Sequence, residues 1–160
     1  GYKIVTDGLH TIRDIKDGDF HLHMGHFDSL KVVNPRIRNW VKVADIIAAQ
    51  LRIIQSARNA VSAVRKSGQF TNDELDYCKN VFDHLLEECL INMDELMMVI
   101  TSGELEMTDD ERVKRIDSIY LEMQDKSAFT ASFSNDMSML AMQRLTEQTA
   151  INYSKKINGY

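Results

Sequence analysis

The sequence predicts an all-α protein: an elongated bundle of three long antiparallel helices, with short helices ahead of them. Three observations carry this. Apolar residues recur in steps of three and four over long stretches, the period of one helix face. There is one proline and there are seven glycines in 160 residues, too few to punctuate a turn-rich sheet protein. Cap and turn residues fall in a few places only. The length fits a single domain over 1–160, with short helices in 1–33 and the main bundle in 34–160. A chain of this size buries a substantial core without staples.

Residues 71–100 organise the rest. One apolar row is Leu75, Cys78, Phe82, Leu85, Cys89, Leu96 and Val99; beside it runs Val81, Leu86, Leu90, Met93, Met97 and Ile100. Two adjacent rows make a face wider than one partner covers, so this helix is expected at the centre. Thr71 and Glu74 have capping-box spacing.

Ahead of it, residues 2–16 and 20–33 read as short helices separated by Asp17-Gly18-Asp19. Asn34-Pro35 is a helix start, since asparagine caps and proline tolerates the first helical position. The helix it opens runs to about Lys66, where Ser67-Gly68 offers a left-handed cap. Its rows are Ile37, Trp40, Ala44, Ile47, Leu51, Ile54 and Val61, and Val43, Ile46, Ile53, Ala57, Ala60 and Val64. Thr108 and Glu111 repeat the capping box. A straight helix over 109–157 would span roughly 75 Å at 1.5 Å per residue, far past its partners. A kink or break is therefore expected near 127–136, where serine, threonine and asparagine compete for backbone hydrogen bonds.

Charge is segregated. Lys31, Arg36, Arg38, Lys42, Arg52, Arg58, Arg65 and Lys66 share their segment with one acid, Asp45; residues 71–111 hold thirteen acids and one base, Lys79. The reading is two antiparallel helices that complement each other, with Arg52, Arg58 or Arg65 near Asp76, Asp83 or Glu87. The alternative is a nucleic-acid-binding face over 36–66. No stretch reaches the roughly 18 apolar residues of a membrane helix.

No catalytic and no cofactor-binding residue is assigned. His21, His23 and His26 are the metal candidates, because imidazole ligates zinc, copper or nickel. His21 falls off the helical face shared by the other two, and the cluster reads as surface or packing histidines. Met137, Met139 and Met142 resemble methionine-rich copper sites but read as packing. Cys78 and Cys89 are about 16 Å apart along one helix, too far for a disulfide. Glu111, Asp117, Glu122 and Asp125 form no ordered carboxylate pair.

Several segments together resemble a known family. They are residues 18–23, GDFHLH; 43–47, VADII; 93–101; and above all 107–126, Met107-Thr108-Asp109-Asp110-Glu111-Arg112 through Met123-Gln124-Asp125-Lys126, followed by Phe133-Ser134-Asn135 and Leu140 to Arg144. This set is similar to a helical family encoded in the conjugative-transfer regions of Bacteroidetes plasmids and conjugative transposons. The resemblance implies a non-enzymatic, exported component of a conjugative apparatus akin to type IV secretion. It would be periplasmic or envelope-associated and act through contacts with other proteins of the apparatus or with itself as a homo-oligomer, nucleic acid not being expected. Members carry a leader ahead of the point matching Gly1. The chain departs from the pattern at Thr130-Ala131-Ser132 and at its end.

Overall fold

The computed structural model describes residues 38–100 and 106–159. Among them there are three helices and no strand: α1 (Arg38–Ser67), α2 (Asn72–Ile100) and α3 (Asp109–Ile157). The two short helices expected before Asn34, and the Asn34-Pro35 start itself, lie outside the described residues.

The helix ends follow from local chemistry. Ser67 Oγ donates to the Val64 carbonyl at 2.6 Å, and Gly68 takes φ +64°. That left-handed conformation suits a residue without Cβ. At the start of α2, the Glu74 N–H donates to Thr71 Oγ1 (3.2 Å) while the Thr71 N–H donates to Glu74 Oε2 (2.9 Å). Thr108 and Glu111 build the same reciprocal box at the start of α3, at 3.2 and 2.7 Å. Each box satisfies amides that a helix start leaves unpaired.

The core lies between the three helices, and α1 is its most enclosed member. Val43, Ile46, Ile47, Ala49, Gln50, Leu51, Ile53, Ile54 and Ala57 are all buried. These positions cover somewhat more than half of the helix circumference, so α1 shares the enclosed position expected for 71–100, which itself packs on both other helices. The reason is in the sequence: between Ile46 and Ala57, Arg52 is the single charge, whereas α2 carries charged residues on nearly every turn. On α2 one row is buried, through Cys78, Phe82, Leu85, Cys89, Leu96 and Val99. In the neighbouring row Met93 is fully buried, while Val81, Leu86, Leu90, Met97 and Ile100 are half-buried.

Contacts between α2 and α3 run in opposite chain order. Arg112 donates to the Val99 carbonyl, Arg115 meets Glu95 at 2.8 Å, Phe133 stands edge-on to Phe82, and Arg144 grips Glu74. Contacts of α1 with α3 keep the same order: Lys42 pairs with Asp117, and Gln50 reaches Met123. The acids Glu74, Glu88 and Glu95 of α2 thus meet bases of α3. Neither Arg52 nor Arg65 of α1 pairs with an acid among the described residues.

Of the kink or break expected near 127–136, no break occurs: α3 is one continuous helix of 49 residues. Three of its threonine hydroxyls join the helix instead of opposing it. Thr130 Oγ1 donates to the Lys126 carbonyl at 2.7 Å, and Thr146 and Thr149 bond the carbonyls of Met142 and Leu145 in the same way. The length problem is resolved by projection. Arg144 lies against Gln69, Phe70 and Glu74, at the turn joining α1 to α2. Every residue from Leu145 to Gly159 is exposed.

Candidate functional sites

Two surface features stand out, both on α3. The first is a cleft against α2. Val81 and Leu85 are one helical turn apart on α2, and Phe129 faces them from α3; these three form an apolar floor. His84, Glu88, Glu122, Asp125 and Lys126 complete the lining of a cleft of about 500 Å³. The floor is braced from behind. Phe129 stacks on Phe133 with centroids 5.8 Å apart, and Phe133 meets Phe82 edge-on at 5.3 Å. These are favourable aromatic geometries, and Phe82 is buried in the core.

The rim is knit by one ammonium group. Lys126 Nζ donates to Asn92 Oδ1 and lies 3.9 Å from both Glu88 Oε2 and Glu122 Oε2. Asn92 also donates to Glu122. His84 Nε2 is 3.4 Å from Glu88 Oε1, an ion pair only when the imidazole is protonated. Asp125 has no ion-pair partner among the described residues.

The second feature is the outer face of α3. From Ala128 the helix presents, in steps of three and four, Ser132, Asn135, Met139, Met142, Thr146, Ala150, Tyr153 and Ile157. All are exposed, and none is charged. The strip is about 44 Å long at 1.5 Å per residue. A solvated helix face is normally lined with charged or polar residues. Here Met139, Met142, Tyr153 and Ile157 are each more than 60% exposed.

The residues singled out from the sequence fare differently. His21, His23 and His26 lie outside the described residues, and among the described residues no group of three His, Cys, Asp or Glu is placed to hold a metal. Met137 packs on the core while Met139 and Met142 face outward, so the three do not converge. Cys78 and Cys89 are both buried free thiols. Burial pushes the Cys89 thiol up to about 12 and raises Cys78 as well, so neither forms an appreciable thiolate at neutral pH. The carboxylates on α3 go separate ways: Glu111 caps its helix, Asp117 pairs with Lys42, and Glu122 and Asp125 line the cleft. In the basic 36–66 segment Arg52, Arg58, Arg65 and Lys66 are exposed, and Lys42 pairs with Asp117.

Sequence reasoning missed the cleft and the strip. The cleft joins residues some 40 positions apart, which no local pattern reveals. The strip was legible, since its spacing and lack of charge are local. No helix among the described residues is long and apolar enough to cross a membrane. Comparison with protein-family models, with curated proteins and with solved structures found no match.

Proposed function

We propose that this chain is a non-enzymatic helical protein that works by contacts with other proteins, through the outer face of α3. The observation that carries the reading is the uncharged, exposed strip from Ala128 to Ile157, continued onto a helix end beyond Arg144. An exposed, uncharged stripe bearing Met139, Met142, Tyr153 and Ile157 costs solubility unless something covers it. The frame that presents it is read as an elongated up-down-up bundle, α2 antiparallel to α1 and α3. The reversed order of contacts along α2 and α3 supports that reading.

The setting we propose is an exported, envelope-associated part of a conjugative DNA-transfer apparatus. Its support is the resemblance carried above all by residues 107–126. The test is genetic. Deleting the gene should lower transfer between mating cells, and wild type should restore it. Met142→Lys with Tyr153→Lys should fail to restore it while leaving the thermal midpoint unchanged. Normal transfer in the deletion strain would remove the proposed setting.

A further inference from the structure

The cleft between α2 and α3 is a different surface from the outer strip, and its chemistry points to a different kind of contact. We propose that it seats a basic amphipathic segment of a partner protein. One apolar side chain of that segment rests on Val81, Leu85 and Phe129, and a lysine or arginine one turn away pairs with Asp125.

Charge argues for a cationic occupant. The cleft is lined by three carboxylates, Glu88, Glu122 and Asp125, against one ammonium. The Lys126 side chain is only 14% exposed and is already shared by Asn92, Glu88 and Glu122. It neutralises the rim from inside and leaves Asp125 open. The surroundings deepen the bias: α2 has one Lys and no Arg, and that Lys79 is committed to Asp83 at 2.7 Å. Fields from such a surface steer a cation inward and repel an acidic segment.

Shape argues for an apolar anchor beside the cation. The floor is carbon, and about 500 Å³ falls within the roughly 300–1,000 Å³ of binding clefts. Phe129 is 46% exposed yet braced by Phe133, which holds its ring in place before anything binds. An apolar anchor flanked by charge at helical spacing is how amphipathic helices seat in grooves. The two carboxylate-bearing walls are themselves helices, so the rim charges stand at fixed positions.

The experiment uses the full chain and two labelled 15-residue probe peptides. Both carry leucines at helical spacing; one is otherwise rich in lysine, the other in glutamate. Binding is followed by fluorescence anisotropy and by amide chemical shifts at several salt concentrations. The lysine peptide should shift the amides around Val81, Leu85 and Phe129 and bind more weakly as salt rises. The glutamate peptide should leave them unmoved. Asp125→Lys and Phe129→Ala should each weaken the lysine peptide by about tenfold or more, as loss of an anchor contact does. Asp125→Asn should fall between Asp125→Lys and wild type. Thermal melts confirm that the variants fold, and Met142→Lys, outside the cleft, should bind like wild type. Several results would overturn the proposal: equal binding of both peptides, shifts confined to the outer face of α3, or indifference to both cleft substitutions. Cleft shifts that appear on raising the concentration of the chain alone would overturn it too, by making a second copy the occupant. Failure of the mating test leaves these outcomes unaffected, because they concern another surface.

Discussion

Arg144 holds Glu74 with both arms of its guanidinium, each nitrogen 2.8 Å from a different carboxylate oxygen. The same guanidinium reaches the Gln69 carbonyl at 3.0 Å and lies 5.1 Å from the centre of the Phe70 ring. One residue of α3 thereby fastens the helix to the start of α2 and to the turn before it. Glu74 accepts from the Thr71 amide at the same time. The Arg144 hydrogen bonds, then the Thr71 amide, bring its carboxyl down from 4.5 to about 2. The group is more acidic folded than unfolded, so its contribution is complete above the ordinary carboxylate value and is lost as pH falls from about 4.5 toward 2. NMR titration of the Glu74 carboxyl should give a midpoint near 2. Arg144→Met should return it to the ordinary range, and Arg144→Lys should land between, because a lysine cannot reproduce the fork. An unchanged midpoint in Arg144→Met would show that the helix cap alone sets the acidity.

Gln50 is the buried polar residue of α1, 1% exposed. Its amide donates to the Cys89 carbonyl of α2 at 3.1 Å and to Met123 Sδ of α3 at 3.0 Å, while its own oxygen is buried without a partner. Gln50→Met should change stability by no more than about 1 kcal/mol in either direction, since it removes an unsatisfied acceptor along with two donor bonds. Gln50→Glu places a carboxylate in the same site and should cost about 3 kcal/mol or more near neutral pH. Urea unfolding of the two variants decides it, and equal midpoints would refute the assignment.

Burial divides α3 into a working half and a free half. Ile119 and Met123 are fully buried, and truncating either to alanine should cost about 2–5 kcal/mol. Tyr153 and Ile157 are exposed, and the same truncation should stay within about 0.5 kcal/mol. Denaturant midpoints for the four variants test the boundary. A large loss at Tyr153 or Ile157 would mean the tail is covered.

Continuity of α3 makes Ser132 a sharp probe. It sits in the stretch where a break was expected, on the exposed face. Ser132→Pro should cost about 3 kcal/mol or more, because proline removes a helix bond and clashes with the turn before it. Ser132→Ala should be neutral or slightly stabilising. Tolerance of proline there would mean the helix bends or parts in solution.

Sequence legibility tracked distance along the chain. Thr71 with Glu74 and Thr108 with Glu111 were readable because each box closes within four residues. The helix end at Ser67 was readable for the same reason. The grip of Arg144 on Glu74 spans 70 positions and left no trace in either segment. Segregated charge pointed to pairing between α1 and α2 and gave no hint that α3 supplies the bases that meet Glu74, Glu88 and Glu95. Gln50 left a usable signal: it stands one turn from Ile46, Ile47, Ile53 and Ile54, so a polar group inside a continuous apolar surface was in view. Of the kink or break expected over 127–136, the break does not occur, because nothing obliges a helix to stop where its partners do.

The two buried cysteines give the molecule its own clock. Cys78 and Cys89 face the core from α2, one two turns and the other five from the hairpin turn, and are 1% and 0% exposed. A thiol reagent cannot attack either while the helices are closed, so labelling must wait for an opening event. The labelling rate at each site, read by mass spectrometry with no engineered residue, reports how often that part of α2 parts from the core. Cys78 labelling much faster than Cys89 would mean the bundle frays from the hairpin end, and equal rates would mean it opens as one unit.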